Sequence, residues 1–411
     1  MPLVTLEETR DAILAAVPRL PVVQCAAADA VGLVLAADVV TAEAVPPFAN
    51  TAMDGYALRA ADTATATEDA PARLVVVDDL AAGRAPVIAV GPGEAIRIMT
   101  GAPMPEGADA IVMVERTARV GDDAVAVQAA AGVGDHVRPI GGDVVSGATV
   151  FAPGTVLGPA HIGVLATLGF GEISVHVRAR VGVLSTGDEL VEGPRVLAPG
   201  QIRDSNRPML LALVADAGCE PVDLGVARDD EALITRRLER GIERCDALLT
   251  SGGVSVGDYD FVKAALDRLG VLRWSQIAIR PAKPLAFGVV DDTPIFGLPG
   301  NPVSSLVSFE LFARPALLRM SGHRVINRPE VAAIADEPML RRADGKLHLD
   351  RVRVRVDEHG RYRVSRSGTQ ASNALSGLAA ADGLALLPDG PGIEAGDEVR
   401  VMLLRAATPD H

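Results

Sequence analysis

The sequence predicts a multidomain protein, α/β in its centre and β-rich on either side. Three observations predict it. Strand and helix patterns alternate over residues 178–320, short apolar runs between Gly, Pro and Asp turns fill 61–145, and alternating apolar strands return after 330. The central alternation signals a mostly parallel sheet with helices on both faces. Right-handed crossovers then bring the turn after each strand to one rim, where ligands bind in open α/β sheets.

Composition bounds the function. A chain of 411 residues should hold two to four domains. Hydrophobic content of 49% and charged content of 22% suit a well-buried core. A net charge of −14 argues against a nucleic-acid binder, and 3% aromatics leave few platforms for base stacking. Neither argues against a small polyanion held in a local basic pocket. Cys25, Cys219 and Cys245 are odd in number and lack CxxC spacing, so they read as small buried residues in a reducing compartment. The N-terminus is acidic without an apolar core, unlike a signal peptide, and no apolar run reaches spanning length. A cytoplasmic protein with no membrane partner is expected.

Thr5-Leu6-Glu7-Glu8 matches a capping box and opens a helix over 5–17, ended by Pro18 and Pro21. Residues 30–42 read as a short helix and a strand. Residues 43–60 form a sharply shaped loop with Pro46-Pro47 and Asp54-Gly55. Within the β-rich segment, Arg97–Met99 ends in a Thr100-Gly101-Ala102-Pro103 turn. Residues 138–160 read as return strands and Pro159–Gly169 as a short helix, whose lone His161 is expected to face solvent rather than a ligand. In the central segment strands are expected at 179–185, 220–226, 246–251, 285–290 and 294–298, and helices at 206–217, 229–242, 258–269 and 302–320. Arg351–Val356 alternates cleanly, which marks a strand with one solvated basic side.

The rim turns carry the chemistry. They are Ser185-Thr186-Gly187-Asp188-Glu189, Ala227-Arg228-Asp229-Asp230, Ser251-Gly252-Gly253-Val254-Ser255 through Asp260, and Pro299-Gly300-Asn301-Pro302. Gly252, Gly253 and Gly257 could let backbone N–H groups approach an anion. Arg280 and Lys283 add full positive charge. Asp204, Asp229 and Asp258 also suit helix N-caps, a role that Asp188, Glu189 and Asp260 fit less well. Acids beside an anion site make sense if a divalent cation, most simply Mg²⁺, bridges carboxylate and phosphate. Neither a P-loop nor a G-x-G-x-x-G motif occurs, and the seven histidines lie outside the rim, so Ser251 and Ser255 read as hydrogen-bond donors, not nucleophiles. The residues alone thus reach metal-assisted chemistry on a phosphate-bearing ligand.

Six ordered stretches go further. They are Pro46–Arg59 (PPFANTAMDGYALR), Arg97–Glu115 (RIMTGAPMPEGADAIVMVE), Leu184–Leu190 (LSTGDEL), Thr250–Gly257 (TSGGVSVG), Ile279–Pro284 (IRPAKP) and Gly297–Val303 (GLPGNPV). Together they resemble the molybdopterin molybdenumtransferase family, similar to the E domain of gephyrin. The resemblance implies a segmented elongated domain (1–45 and 146–177), a β-rich domain (46–145), a molybdopterin-binding-like three-layer α/β domain (178–328) and a C-terminal β-barrel (329–411). It implies a homodimer whose cleft joins the α/β domain of one subunit to the β-rich domain of the other. The implied reaction takes adenylylated molybdopterin and molybdate, uses Mg²⁺, releases AMP and leaves molybdenum on the dithiolene. A molybdopterin adenylyltransferase and recipient molybdoenzymes are the implied partners.

Carried over by motif, Asp54, Thr100, Asp188, Glu189, Asp229, Asp260 and Lys283 are the implied catalytic residues, with Asp188, Glu189, Asp229 and Asp260 as metal ligands. Ser185, Thr186, Ser251, Gly252, Gly253, Ser255, Arg280, Pro299, Asn301 and Pro302 are the implied substrate contacts. Three positions depart from the family pattern. Arg280 stands where many members have Lys, Ala282 replaces a Gly, and Gly142 replaces the Glu of Arg-x-x-Gly-Glu-Asp, leaving Arg138 and Asp143. Two other functions compete: a non-catalytic carrier or scaffold of the same fold, and an adenylyltransferase acting on molybdopterin and ATP.

Overall fold

A computed structural model of the chain describes residues 3–252, 261–269, 272–406 and 408–409. The expected Gly253, Ser255, Gly257, Asp258 and Asp260 contributions lie outside the described residues. The chain divides into two compact units. One holds Met1–Ala36, Pro153–Ile162 and Glu172–His411, the other Ala37–Ala152 and Gly163–Gly171. The expected four-domain division is finer than these two units.

In the smaller unit, six strands form one sheet in the order Thr117–Val120, Ala124–Val127, Ala72–Leu80, Glu94–Ile98, Gly55–Leu58, Ala110–Met113. Period-two alternation buries both faces. Tyr56, Leu58, Leu74 and Val112 pack on one side, and Ala57, Ile96, Ile98 and Ile111 on the other. Gly55 is required here, because a Cβ would collide with the Val112 carbonyl of the neighbouring strand.

The larger unit is built on a seven-stranded mixed sheet in the order Leu3–Val4, Leu272–Ile277, Pro284–Val290, Thr293–Leu298, Ala247–Ser251, Arg180–Thr186, Glu220–Ala227. The last four run parallel. Helix Asn206–Asp216 and the helical run 302–320 cover one face through Leu210, Val214, Val303 and Phe309. Helices Glu231–Ile242 and Phe261–Leu269 cover the other through Ile234, Leu238, Val262 and Leu266. This is the expected three-layer arrangement. Strand Leu272–Ile277 was not expected, and neither was Leu3–Val4, which joins the sheet by pairing in parallel with Gln276 and Ile277, more than 270 residues on. The expected 302–320 helix contains a π-helical turn, Phe309–Ala313, just before Pro315, whose missing N–H cannot continue the α-helical ladder.

Beyond residue 328, strands Leu347–Val356, Tyr362–Arg366, Glu330–Ala335, Glu398–Leu403 and Gly383–Leu387 close into a five-stranded barrel, since the first and last also pair. Val352, Val354, Val364 and Val401 fill it. The strand expected to have a solvated basic side needs correction. Arg353 is exposed, but Arg351 is fully buried and donates to the Thr369 and Ala371 carbonyls at 2.6 and 3.2 Å.

The first helix matches its sequence signal closely. Glu8 N–H donates to Thr5 Oγ1 and Thr5 N–H to Glu8 Oε2, at 3.2 and 3.1 Å. His161 is half-buried rather than solvent-facing, and its Nδ1 accepts from the Gly158 N–H at 3.0 Å. Among the described residues no helix is long and apolar enough to cross a membrane. Cys219 and Cys245 are buried as expected, whereas Cys25 is half-exposed at a sheet edge. Burial pushes the Cys219 thiol up to about 12 and raises Cys245 as well. A thiol-disulfide reagent should therefore modify one cysteine, Cys25, in the native protein and all three after denaturation. Fast native labelling of Cys219 would contradict this packing.

Candidate functional site

The four parallel strands deliver their following turns to one rim. Ser185 and Thr186 end the first strand, are almost fully buried, and so fix the turn from below. Ser185 Oγ donates to Asp204 at 3.1 Å, and Asp204 also accepts from Arg207 Nε at 3.1 Å. Arg207 further pairs with Asp223 and Glu192, so its buried guanidinium is surrounded by three carboxylates. Gly252 has φ +102°, and a Cβ there would lie 2.7 Å from the Thr186 carbonyl oxygen. Its N–H donates to the Leu298 carbonyl at 3.2 Å, so this glycine serves the packing of two turns and leaves no amide for an anion. Asn206 binds the next pair of turns together, donating to Ser251 Oγ and the Gly300 carbonyl, both at 2.7 Å.

Three expected acids project from this rim. The Asp188 N–H donates to the Asp229 carboxylate at 3.4 Å, and the Asp229 N–H to the Asp188 carboxylate at 3.3 Å. This reciprocal contact holds two turns, and two exposed carboxylates, side by side. Glu189 folds its carboxylate back over Gly187, where a Cβ would collide with it. Asp230, not Asp229, caps helix Glu231–Ile242, accepting from the Leu233 N–H at 2.6 Å. Asp204 lies one residue before the assigned N-cap Ser205, which makes no side-chain cap bond, and its Oδ1 accepts from the first-turn Arg207 N–H at 3.2 Å, as a capping carboxylate does. Among the described residues Asp188, Glu189 and Asp229 have no cationic partner, and no group of three His, Cys, Asp or Glu side chains converges as a metal site. Oxygen donors on two adjacent turns nevertheless fit a hard divalent cation.

A cleft of about 900 Å³ opens between the sheet and the barrel. Arg280, Lys283, Pro299 and Asn301 line it from the α/β side, as their motifs suggested. Pro302 is the first residue of the following helix, behind its N-cap Asn301. Sequence reasoning missed the opposite wall, which carries Arg341, Arg342, Lys346, His348 and Arg366. The two walls meet because Ile279–Arg280 pairs in parallel with Leu347–His348. Arg341 and Arg366 are occupied by Asp344, Asp389 and Asp350, and Lys346 Nζ lies 2.8 Å from Asp344. Among the described residues, Arg280, Lys283 and Arg342 have no side-chain partner. Three uncompensated cations in one cleft suit an oxyanion. Ala282 sits between two of them at φ +72°, a conformation that favours glycine.

In the smaller unit the loop 50–54 pairs with its neighbours through Gly101 N–H to Thr51 O and Ala52 N–H to His136 O. Arg138 aligns with Asn50 in that pairing. Asp54 Oδ1 accepts from both the hydroxyl and the N–H of Thr100, each at 2.7 Å. These two bonds, the hydroxyl first, hold the Asp54 carboxyl below its usual range.

An α/β sheet with an acidic rim and a basic cleft, joined to a closed barrel, defines a multidomain protein whose cleft cations suit an oxyanion. Comparison with known proteins makes this particular. The description "MoeA N-terminal region (domain I and II)" matches residues 4–169, "Probable molybdopterin binding domain" matches 182–319, and "MoeA C-terminal region (domain IV)" matches 339–404. A molybdopterin molybdenumtransferase 2 of Mycobacterium tuberculosis is 43% identical over 377 residues, 90% of this chain and 92% of that protein. The Haemophilus influenzae molybdopterin molybdenumtransferase is 36% identical over 375 residues, 91% of each. A crystal structure of the molybdopterin biosynthesis MoeA protein of Pyrococcus horikoshii OT3 superposes with a TM-score of 0.83 at 32% identity, covering 98% of this chain and 100% of that one. The chain belongs to the molybdopterin molybdenumtransferase (MoeA) family.

Two outcomes test this geometry. Thr100→Val removes one donor from Asp54, so the Asp54 pKa should rise towards the ordinary carboxylate value in a carboxyl-resolved NMR titration, and an unmoved pKa would count against the pairing. Gly252→Ala forces a Cβ against Thr186 at a positive φ and should cost roughly 1–3 kcal/mol in chemical denaturation.

Proposed function

We propose that this chain inserts molybdenum from molybdate into adenylylated molybdopterin with release of AMP, in molybdenum cofactor biosynthesis. The observation that carries the reading is that one compact unit holds two opposite chemistries, the exposed Asp188–Asp229 pair at the rim and the uncompensated cations of the cleft. Ser251 supplies a hydrogen-bond donor to the pterin phosphate, with Ser185 and Thr186 shaping the turn behind it. Asp188, Glu189 and Asp229, with Asp260, are the proposed Mg²⁺ ligands. Bound there, Mg²⁺ supplies charge neutralisation at the phosphoanhydride. Arg280 and Lys283 grip molybdate, a tetrahedral dianion, and Arg342 adds charge from the barrel wall. Arg280 can do so in place of the family's Lys because its planar fork still offers paired donors.

Asp54 and Thr100 form the second catalytic surface, contributed in our reading by the other subunit of a homodimer. The four domains expected from the resemblance, a cytoplasmic location, and exchange with a molybdopterin adenylyltransferase and with molybdoenzymes complete the proposal. The family matches at 4–169, 182–319 and 339–404 agree with its two boundaries near 178 and 328.

The test is AMP release from adenylylated molybdopterin by the purified protein, with Mg²⁺ and molybdate supplied or withheld. Release that needs both is expected, and hydrolysis indifferent to molybdate would overturn the proposal. Lys283→Ala removes a charge-assisted contact and should raise the KM for molybdate roughly 10- to 100-fold. Asp229→Asn should shift the Mg²⁺ dependence to higher concentration. An unchanged Mg²⁺ profile would remove Asp229 from the metal site.

A further inference from the structure

We infer that Arg207 is a positioning residue that holds the strand leading to Asp229 in register with the strand leading to Asp188. The inference rests on the proposed reading in which these two acids hold the divalent cation. It begins with a bulge. Val183 faces Asp223 across the two parallel strands, but Ser185 faces Val226, so strand Glu220–Ala227 carries one extra residue at Leu224-Gly225. Gly225 takes φ +81° there. Without the extra residue Ser185 would face Gly225, and the chain beyond would be one step out of phase. With it, Thr186 faces Ala227, and the Gly187 N–H reaches the Ala227 carbonyl at 3.1 Å. The reciprocal contact of Asp188 and Asp229 follows from that phase.

Arg207 grips both sides of the bulge. Its Nη1 donates to the Asp223 carboxylate, whose Oδ1 also accepts the Gly225 N–H at 2.7 Å. Its Nε donates to Asp204 Oδ2 at 3.1 Å, while Asp204 Oδ1 accepts from Ser185 Oγ at 3.1 Å. Its Nη2 donates to Glu192, just beyond Glu189. One guanidinium thus bridges the bulged strand, the end of the strand before Asp188, and the chain after Glu189. A lysine ammonium lacks the planar fork needed to serve three carboxylates at once. Helix formation does not account for this side chain. Arg207 stands in the first turn of helix Asn206–Asp216, where the macrodipole disfavours a cation. Nor is it a solvated surface charge, since the residue is 9% exposed. Removing it would leave Asp204, Asp223 and Glu192 without their shared cation, and their repulsion would loosen the bulge.

The test compares Arg207→Gln in the native background and in Asp229→Asn. Mn²⁺, a paramagnetic cation that suits carboxylate ligands, is the probe, and its binding to the full chain is read by EPR. Hydrogen exchange over residues 184–190 and 223–229, read by mass spectrometry, follows the register itself. Arg207→Gln should weaken Mn²⁺ binding about tenfold in the native background and change it little once Asp229 is asparagine. Exchange should quicken in both segments. Equal weakening in both backgrounds, or unchanged binding and exchange in the native one, would overturn the inference while leaving the metal reading intact. Mn²⁺ binding that Asp229→Asn does not alter would overturn both. If Arg207→Gln loses its cooperative melting, Asp223→Asn carries the same comparison. It keeps an acceptor for the Gly225 N–H and removes only the charge that Arg207 grips.

Discussion

The parallel pairing of Ile279–Arg280 with Leu347–His348 is the constraint on which the cleft depends. It stitches a loop of the α/β layer to the first long strand of the barrel. The Leu347 N–H adds a bond to the Ala278 carbonyl at 2.8 Å. Through these few backbone contacts Arg280 and Lys283 face Arg342 and Lys346, although about sixty residues separate them. A protein of net charge −14 therefore holds a locally basic cleft. Long-range repulsion of an anion by the acidic surface is screened within about 8–10 Å at physiological salt, and the partly enclosed cations are screened less.

The rim depends on a second constraint, the parallel order of its strands. Each right-handed crossover returns the chain to the same edge, so acids far apart in sequence become neighbours. The reciprocal bonds of Asp188 and Asp229 follow from adjacent parallel strands, with Gly187 N–H reaching the Ala227 carbonyl at 3.1 Å. Two like charges held close are costly unless a cation or solvent compensates them.

Much of this was legible in the sequence. The capping box at Thr5, the alternating strands and helices and the Gly-rich turns are local signals, and local signals determine local structure. What the sequence left open is non-local. Nothing near Asp229 says that Asp230 takes the helix cap and leaves its neighbour for the rim. The alternation at 351–356 marks a strand but not which side is covered, so Arg351 reads as solvated when it is buried against the 369–371 carbonyls. The barrel wall of the cleft was missed for the same reason, since Lys346 and Arg342 sit in an unremarkable polar turn until the register with Arg280 is known. The Ala282 departure gains a physical meaning only with its backbone angle, which glycine would adopt with less strain.

The most direct test of the central claim is anomalous diffraction from crystals soaked in tungstate, a tetrahedral dianion close in size to molybdate. A single strong peak within hydrogen-bonding reach of Arg280 and Lys283, weakened in Lys283→Ala, is the predicted result. A peak elsewhere on the chain, with the cleft empty at saturating tungstate, would contradict the assignment of the cleft to the oxyanion.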